Sequence, residues 1–129
     1  MMRTRTFVLS IMASLALWAP ASAAECTLDR DLDKMVDALK QAPSCAAAYK
    51  LFEDCAFGAS GDVPLGDAVQ EKCESGFLSK LDAGRKSAYN KQLAACDRKY
   101  AKQEGTMYRS ATAFCRAGAA RDYAKRFSK

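Results

Sequence analysis

Six cysteines constrain this chain more than any other feature: Cys26, Cys45, Cys55, Cys73, Cys96 and Cys115. No two of them form a C-x-x-C pair. An even cysteine count in a short exported chain reads as a disulfide framework. The missing C-x-x-C argues against a thioredoxin-like redox centre. Structural zinc is unsupported too, because close cysteine pairs are lacking and the sequence holds no histidine. No metal and no cofactor are expected.

Export is read from the N-terminus. Arg3 and Arg5 precede an apolar run of 12 residues, Phe7 to Trp18, and Ala21 and Ala23 supply the small-x-small cut site. The run is too short to remain as a span, which needs about 20 apolar residues. Residues 1–23 are therefore expected to be a signal peptide, with cleavage near Ala23. A lipoprotein carries a small residue directly before its modified cysteine. Glu25 occupies that place, so Cys26 is expected in a disulfide and not under a lipid. Residues 24–129 are then a single disulfide-bonded domain in a periplasmic or secreted, oxidising setting, with no transmembrane span.

Apolar residues recur at helical spacing, with no alternating strand pattern. A first helix is predicted from Leu28 to Gln41, capped by Thr27 and ended by Pro43. A second follows the cap Ser44 and closes at Gly58. A third starts near Pro64 with Asp62 as a nearby cap, and "DAG" at 82–84 interrupts it. A fourth places Tyr89, Leu93, Cys96 and Tyr100 on one face, opposite Lys91, Arg98 and Lys102, and Gly105 stops it. A fifth, capped by Thr106, packs Met107, Ala111, Phe114, Cys115 and Gly118. Beyond Gly118 that stripe would carry Arg121, Asp122 and Lys125 inward, so the helix either bends or leaves the bundle. The fold class is all-α: a compact bundle of four or five antiparallel helices stapled by three disulfides. Cysteines equidistant from a turn lie level in antiparallel neighbours. That predicts the pair Cys96–Cys115; Cys45 and Cys73 flank the 58–64 loop at moderate distances, and Cys26 at the start of the first helix can meet Cys55 at the end of the second, which gives Cys45–Cys73 and Cys26–Cys55 as the other two pairs.

Charge divides along the chain. Residues 24–75 hold 11 acidic and 5 basic residues, whereas residues 76–129 hold 4 acidic and 13 basic. Either the two halves attract each other, or the basic half serves an anionic partner. The C-terminal "RAGAARDYAKRFSK" carries the candidate anionic-partner residues Arg116, Arg121, Tyr123, Lys125, Arg126 and Phe127. The other reading of that segment is a helix end that packs its aromatics while cations satisfy the helix dipole.

Catalysis has little to stand on. The commonest general base, histidine, is missing, and the thiols are expected in disulfides. Neither a G-x-S-x-G nor a phosphate-cradling glycine loop occurs. Glu53 and Asp54 are adjacent on a helix and point about 100° apart. "DRDLDK" places Lys34 and Lys40 where a calcium loop needs glycine and a bidentate glutamate. No catalytic residue is assigned, an enzyme is not expected, and no nucleic-acid motif is found.

From Leu81 onward, "LDAGRKSAYNKQLAAC" and "FCRAGAARDYAKR" resemble the small exported helical proteins grouped with the LprI-type lysozyme inhibitors. The resemblance implies a helical periplasmic protein that inhibits lysozyme, and it carries no inhibitory residue over to this chain. The leading expectation is a non-enzymatic binding protein acting on a macromolecular envelope partner, most concretely as an inhibitor of lysozyme or another cell-wall hydrolase. The alternative is a binder of anionic lipid or envelope polymer through the basic C-terminal half. The sequence fixes no oligomeric state.

Overall fold

Residues 25–129 are described by a computed structural model; the expected signal peptide, residues 1–23, lies outside them. Among the described residues there are five α-helices and no strand. They are α1 (Leu32–Gln41), α2 (Cys45–Cys55), α3 (Asp62–Phe77), α4 (Ala83–Tyr100) and α5 (Thr106–Phe127). A 3-10 turn over Leu78–Lys80 joins α3 to α4, a few residues before the predicted break at 82–84; Asp82 instead caps α4, and Ala83 and Gly84 lie in its first turn.

Local chemistry sets most helix ends. Ser44 Oγ accepts from the Ala47 N–H at 3.1 Å and caps α2 as expected. Asp82 caps α4 by accepting from Arg85 N–H at 2.8 Å. Thr106 does not cap α5: Gly105, at φ 112°, precedes the first turn with no side-chain cap. α1 begins four residues later than predicted, and Asp31, not Thr27, caps it through Lys34 N–H at 3.0 Å. A long-range tether explains the delay. Cys26 is bonded to Cys55, and Arg30 donates to the Cys55 carbonyl at 3.4 Å while lying over the Phe57 ring. The stretch before Asp31 is therefore drawn along the end of α2 instead of winding into a helix.

All three expected disulfides are present: Cys26–Cys55, Cys45–Cys73 and Cys96–Cys115. They close spans of 29, 28 and 19 residues. In the chain-entropy model each stabilises by about 3 kcal/mol.

Consecutive helices run antiparallel, so α1, α3 and α5 share one direction. Three contacts fix the pairing of α3 with α5: Asp62 with Ser110, Gln70 with Arg116, and Phe77 with Tyr123. α1 and α5 flank α3, α4 packs against α5 and reaches α3 through Tyr89, and α2 lies across α3 and α5. One continuous core draws on all five helices, with Met35, Leu39, Phe52, Leu65, Val69, Phe77 and Tyr89 buried. Each such large side chain contributes about 1.5–3 kcal/mol by leaving water.

α5 does not leave the bundle; it stays helical to Phe127, with Tyr123 packed on Phe77 and the Ser128 carbonyl accepting from Lys80. Its apolar stripe fails in the sequence because it has neighbours on three sides, α2, α3 and α4. Buried alanines at 113, 117, 119, 120 and 124 let those neighbours approach. Arg121 then spreads over the Tyr49 ring at 4.1 Å on the α2 side instead of entering the core.

Candidate functional site

The six candidate residues of α5 do not share a face. Tyr123 is only 7% exposed and belongs to an aromatic cluster with Phe77, Tyr89 and Phe127. Phe127 is half-buried against the core, with the Arg85 guanidinium 5.4 Å from its ring centre. Arg116 turns toward α3 and α4, donating to Gln70 Oε1 at 3.2 Å and to Asp97 Oδ2 at 2.7 Å. Arg121 faces α2 and pairs with Asp122 at 2.9 Å. Lys125 and Arg126 remain exposed. The aromatic pair therefore packs inward, as the second reading of this segment expected, and only part of its charge faces solvent.

Two shallow depressions flank α5. One, of about 330 Å³, opens between the start of α3 and the end of α4 and is lined by Asp67, Asp97, Arg109, Thr112 and Arg116. Its two carboxylates and two guanidiniums balance. The other, of about 370 Å³, lies at the start of α2 over the Cys45–Cys73 disulfide, beside Lys72, Arg121 and Lys125.

Between α3, α4 and α5 runs a chain of polar contacts. Tyr89 Oη and Gln70 Nε2 both donate to Glu74 Oε1 at 2.7 Å, and Gln70 Oε1 accepts from Arg116. Burial first, and the Glu74 carboxylate second, push the Tyr89 phenol far above its ordinary 10.0. The protonated phenol is thus the group that holds α4 to α3. Each member is committed to a neighbour, an arrangement that fixes the three helices to one another. Among the described residues, no three His, Cys, Asp or Glu side chains converge as metal ligands would. Within the same residues, no helix is long and apolar enough to cross a membrane.

The charges separate in space as they do in sequence. α1 and the residues just before it expose Asp29, Asp31, Asp33 and Asp37 at one edge of the bundle. α4, packed against α5 and touching α3, exposes Arg85, Lys86, Lys91, Arg98 and Lys99. The ion pairs among the described residues are Lys34–Asp29, Lys50–Asp54, Arg85–Asp82, Arg116–Asp97 and Arg121–Asp122. Every one joins partners within a single half of the chain. The two halves therefore do not neutralise each other through direct ion pairs.

Two features escape the sequence pattern. The buried Asp62 accepts from the Phe57 and Gly58 N–H groups at 2.7 and 2.9 Å and from Ser110 Oγ at 2.6 Å. Its carboxylate reaches back to the preceding loop and across to α5, and it does not cap α3. Met107, predicted on the packed stripe of α5, is 61% exposed. A clue to Met107 lies in its position two residues after Gly105, in a stretch with no other large aliphatic side chain. No family model, curated protein or solved structure matches this chain.

Proposed function

We propose that this is a non-enzymatic binding protein for an anionic macromolecular partner in an oxidising envelope or extracellular setting, engaged through the basic face of α4. One observation carries the reading: among the described residues, no ion pair joins the cations of α4 to the acidic half. Arg85 is paired with Asp82, but Lys86, Lys91, Arg98 and Lys99 have no ion-pair partner among the described residues. Fixed charges of one sign on a rigid helix raise the association rate with an oppositely charged surface. Three disulfides suit an oxidising compartment. The test is retention of the oxidised protein on immobilised polyphosphate. Retention should weaken steeply with salt and drop in Lys86→Glu/Lys91→Glu. Equal retention of that variant removes α4 as the binding face.

The acidic edge favours a second reading. Asp33 and Asp37 stand one turn apart on α1, exposed and without an ion-pair partner among the described residues. They suit a cationic protein, and a cell-wall hydrolase such as lysozyme is its most concrete form. Lysozyme turnover unchanged by excess protein rules that form out.

A further inference from the structure

Because α1, α3 and α5 run the same way, their first turns meet at one end of the bundle, beside the end of α2. The exposed large apolar side chains of the described residues all lie there. Leu32, 37% exposed, opens α1; Phe57, 41% exposed, follows α2; Met107, 61% exposed, is the second residue of α5. Single exposed apolar residues scattered over a surface are ordinary. Confinement to one end is not scatter. Phe57 and Met107 are tied to each other through Asp62. The Phe57 N–H and Ser110 Oγ both donate to that carboxylate, and Met107 stands one helical turn before Ser110.

On the α5 side this end is the tip of the α4–α5 hairpin. Every residue from 101 to 107 is exposed. Tyr100 and Tyr108 flank the tip with ring centres 6.1 Å apart. Residues 98–109 hold Arg98, Lys99, Lys102 and Arg109 against a single acid, Glu104. The Cys96–Cys115 bond staples the two helices just beneath, which lowers the cost of ordering the tip on a partner.

We propose that this end of the molecule docks on an anionic lipid surface. Met107 enters the acyl boundary, Tyr100 and Tyr108 lie at headgroup level, and the flanking lysines and arginines face the headgroup phosphates. The proposal rests on the anionic-partner reading above and names the partner. A soluble polyanion would engage the cations equally well but would leave Met107 in water. The combination of apolar tip, tyrosines and cations fits a bilayer surface. Asp29, Asp31 and Asp33 surround the Leu32 corner, so the molecule tilts onto the α4–α5 side.

The test is co-sedimentation of the oxidised protein with vesicles of phosphatidylglycerol and phosphatidylcholine in equal parts. Phosphatidylcholine vesicles and polyphosphate resin are run in parallel. The protein should sediment with the anionic vesicles only. Met107→Asp should weaken that partition roughly tenfold or more, whereas Met107→Leu should preserve it. Both variants should keep wild-type retention on polyphosphate and wild-type helicity. Lys99→Glu/Lys102→Glu should weaken vesicle binding roughly fivefold per cation replaced. Retention on polyphosphate without vesicle binding overturns the lipid proposal and leaves the anionic-partner reading standing. Binding to neither overturns both. Vesicle binding indifferent to Met107→Asp shows that the cations act alone and removes the insertion.

Discussion

Ser110 Oγ donates a 2.6 Å hydrogen bond to the Asp62 carboxylate across 48 residues of sequence, and the Asp62 side chain is wholly buried. The same carboxylate holds the Phe57 and Gly58 N–H groups. One side chain thus fixes the α2–α3 loop and the first turns of α5 to the start of α3. Asp62→Ala strands two backbone donors and a hydroxyl, at a cost of about 3 kcal/mol. Ser110→Ala removes one charge-assisted bond, at a cost of about 2 kcal/mol. Urea denaturation of the oxidised protein measures both. A neutral Asp62→Ala would show that the three bonds have no net worth.

Much of this architecture could be read from the chain, and the failures share a cause. Tyr89, Leu93 and Cys96 keep helical period and are buried, so α4 was legible. The Cys96–Cys115 bond was legible because cysteines level across a turn meet. The start of α1 was not, because a bond to Cys55 overrides a local cap at Thr27. Asp62 looks like an ordinary cap until Ser110 arrives from far along the chain. For the candidate site, charge was legible and placement was not. Helical spacing could pair Tyr123 with Phe127, but only the positions of Phe77 and Tyr89 decide that the pair turns inward.

The Cys96–Cys115 bond should control one end of the hairpin selectively. α4 meets α3 near its own start, through Tyr89, Glu74 and Phe77, while the Cys96 end leans on α5. Cys96→Ser/Cys115→Ser should cost about 3 kcal/mol of global stability. Amide exchange between Leu93 and Arg109 should quicken beyond what that global loss explains. Cys45→Ser/Cys73→Ser should cost a similar amount without that local excess. Uniform quickening in the first variant would mean that packing alone holds the tip.

Stability should fall in alkali, partly through Tyr89. Burial and Glu74 hold its folded phenol far above the ordinary 10.0. The contribution is complete below the unfolded value and is lost as pH rises above it, because the unfolded chain then releases a proton that the folded one keeps. The loss approaches about 1.4 kcal/mol per pH unit. Tyr89→Phe gives up one hydrogen bond, about 1–2 kcal/mol, yet flattens the pH dependence of urea stability between about pH 10 and pH 11. Tyr49, whose phenol burial also raises, leaves a residual slope in both proteins. Identical slopes would place the Tyr89 hydroxyl in water.

Gly66 sets the separation of α3 and α5, the pair that carries the rest of the bundle. A Cβ there would lie 2.9 Å from Ala113 Cβ and 3.1 Å from the Ala113 carbonyl oxygen. In an open helix, glycine to alanine gains about 1 kcal/mol. Here the blocking atoms belong to a short side chain and to backbone, neither of which can swing aside. Gly66→Ala should therefore lose about 1–2 kcal/mol net, through strain that outweighs the helix gain. Adding Ala113→Gly clears the closer contact and leaves the carbonyl one. The double variant should thus recover part of the loss beyond what adding the single effects allows. A denaturation cycle over the four proteins reads the coupling. A stabilised Gly66→Ala would mean that the two helices can separate freely.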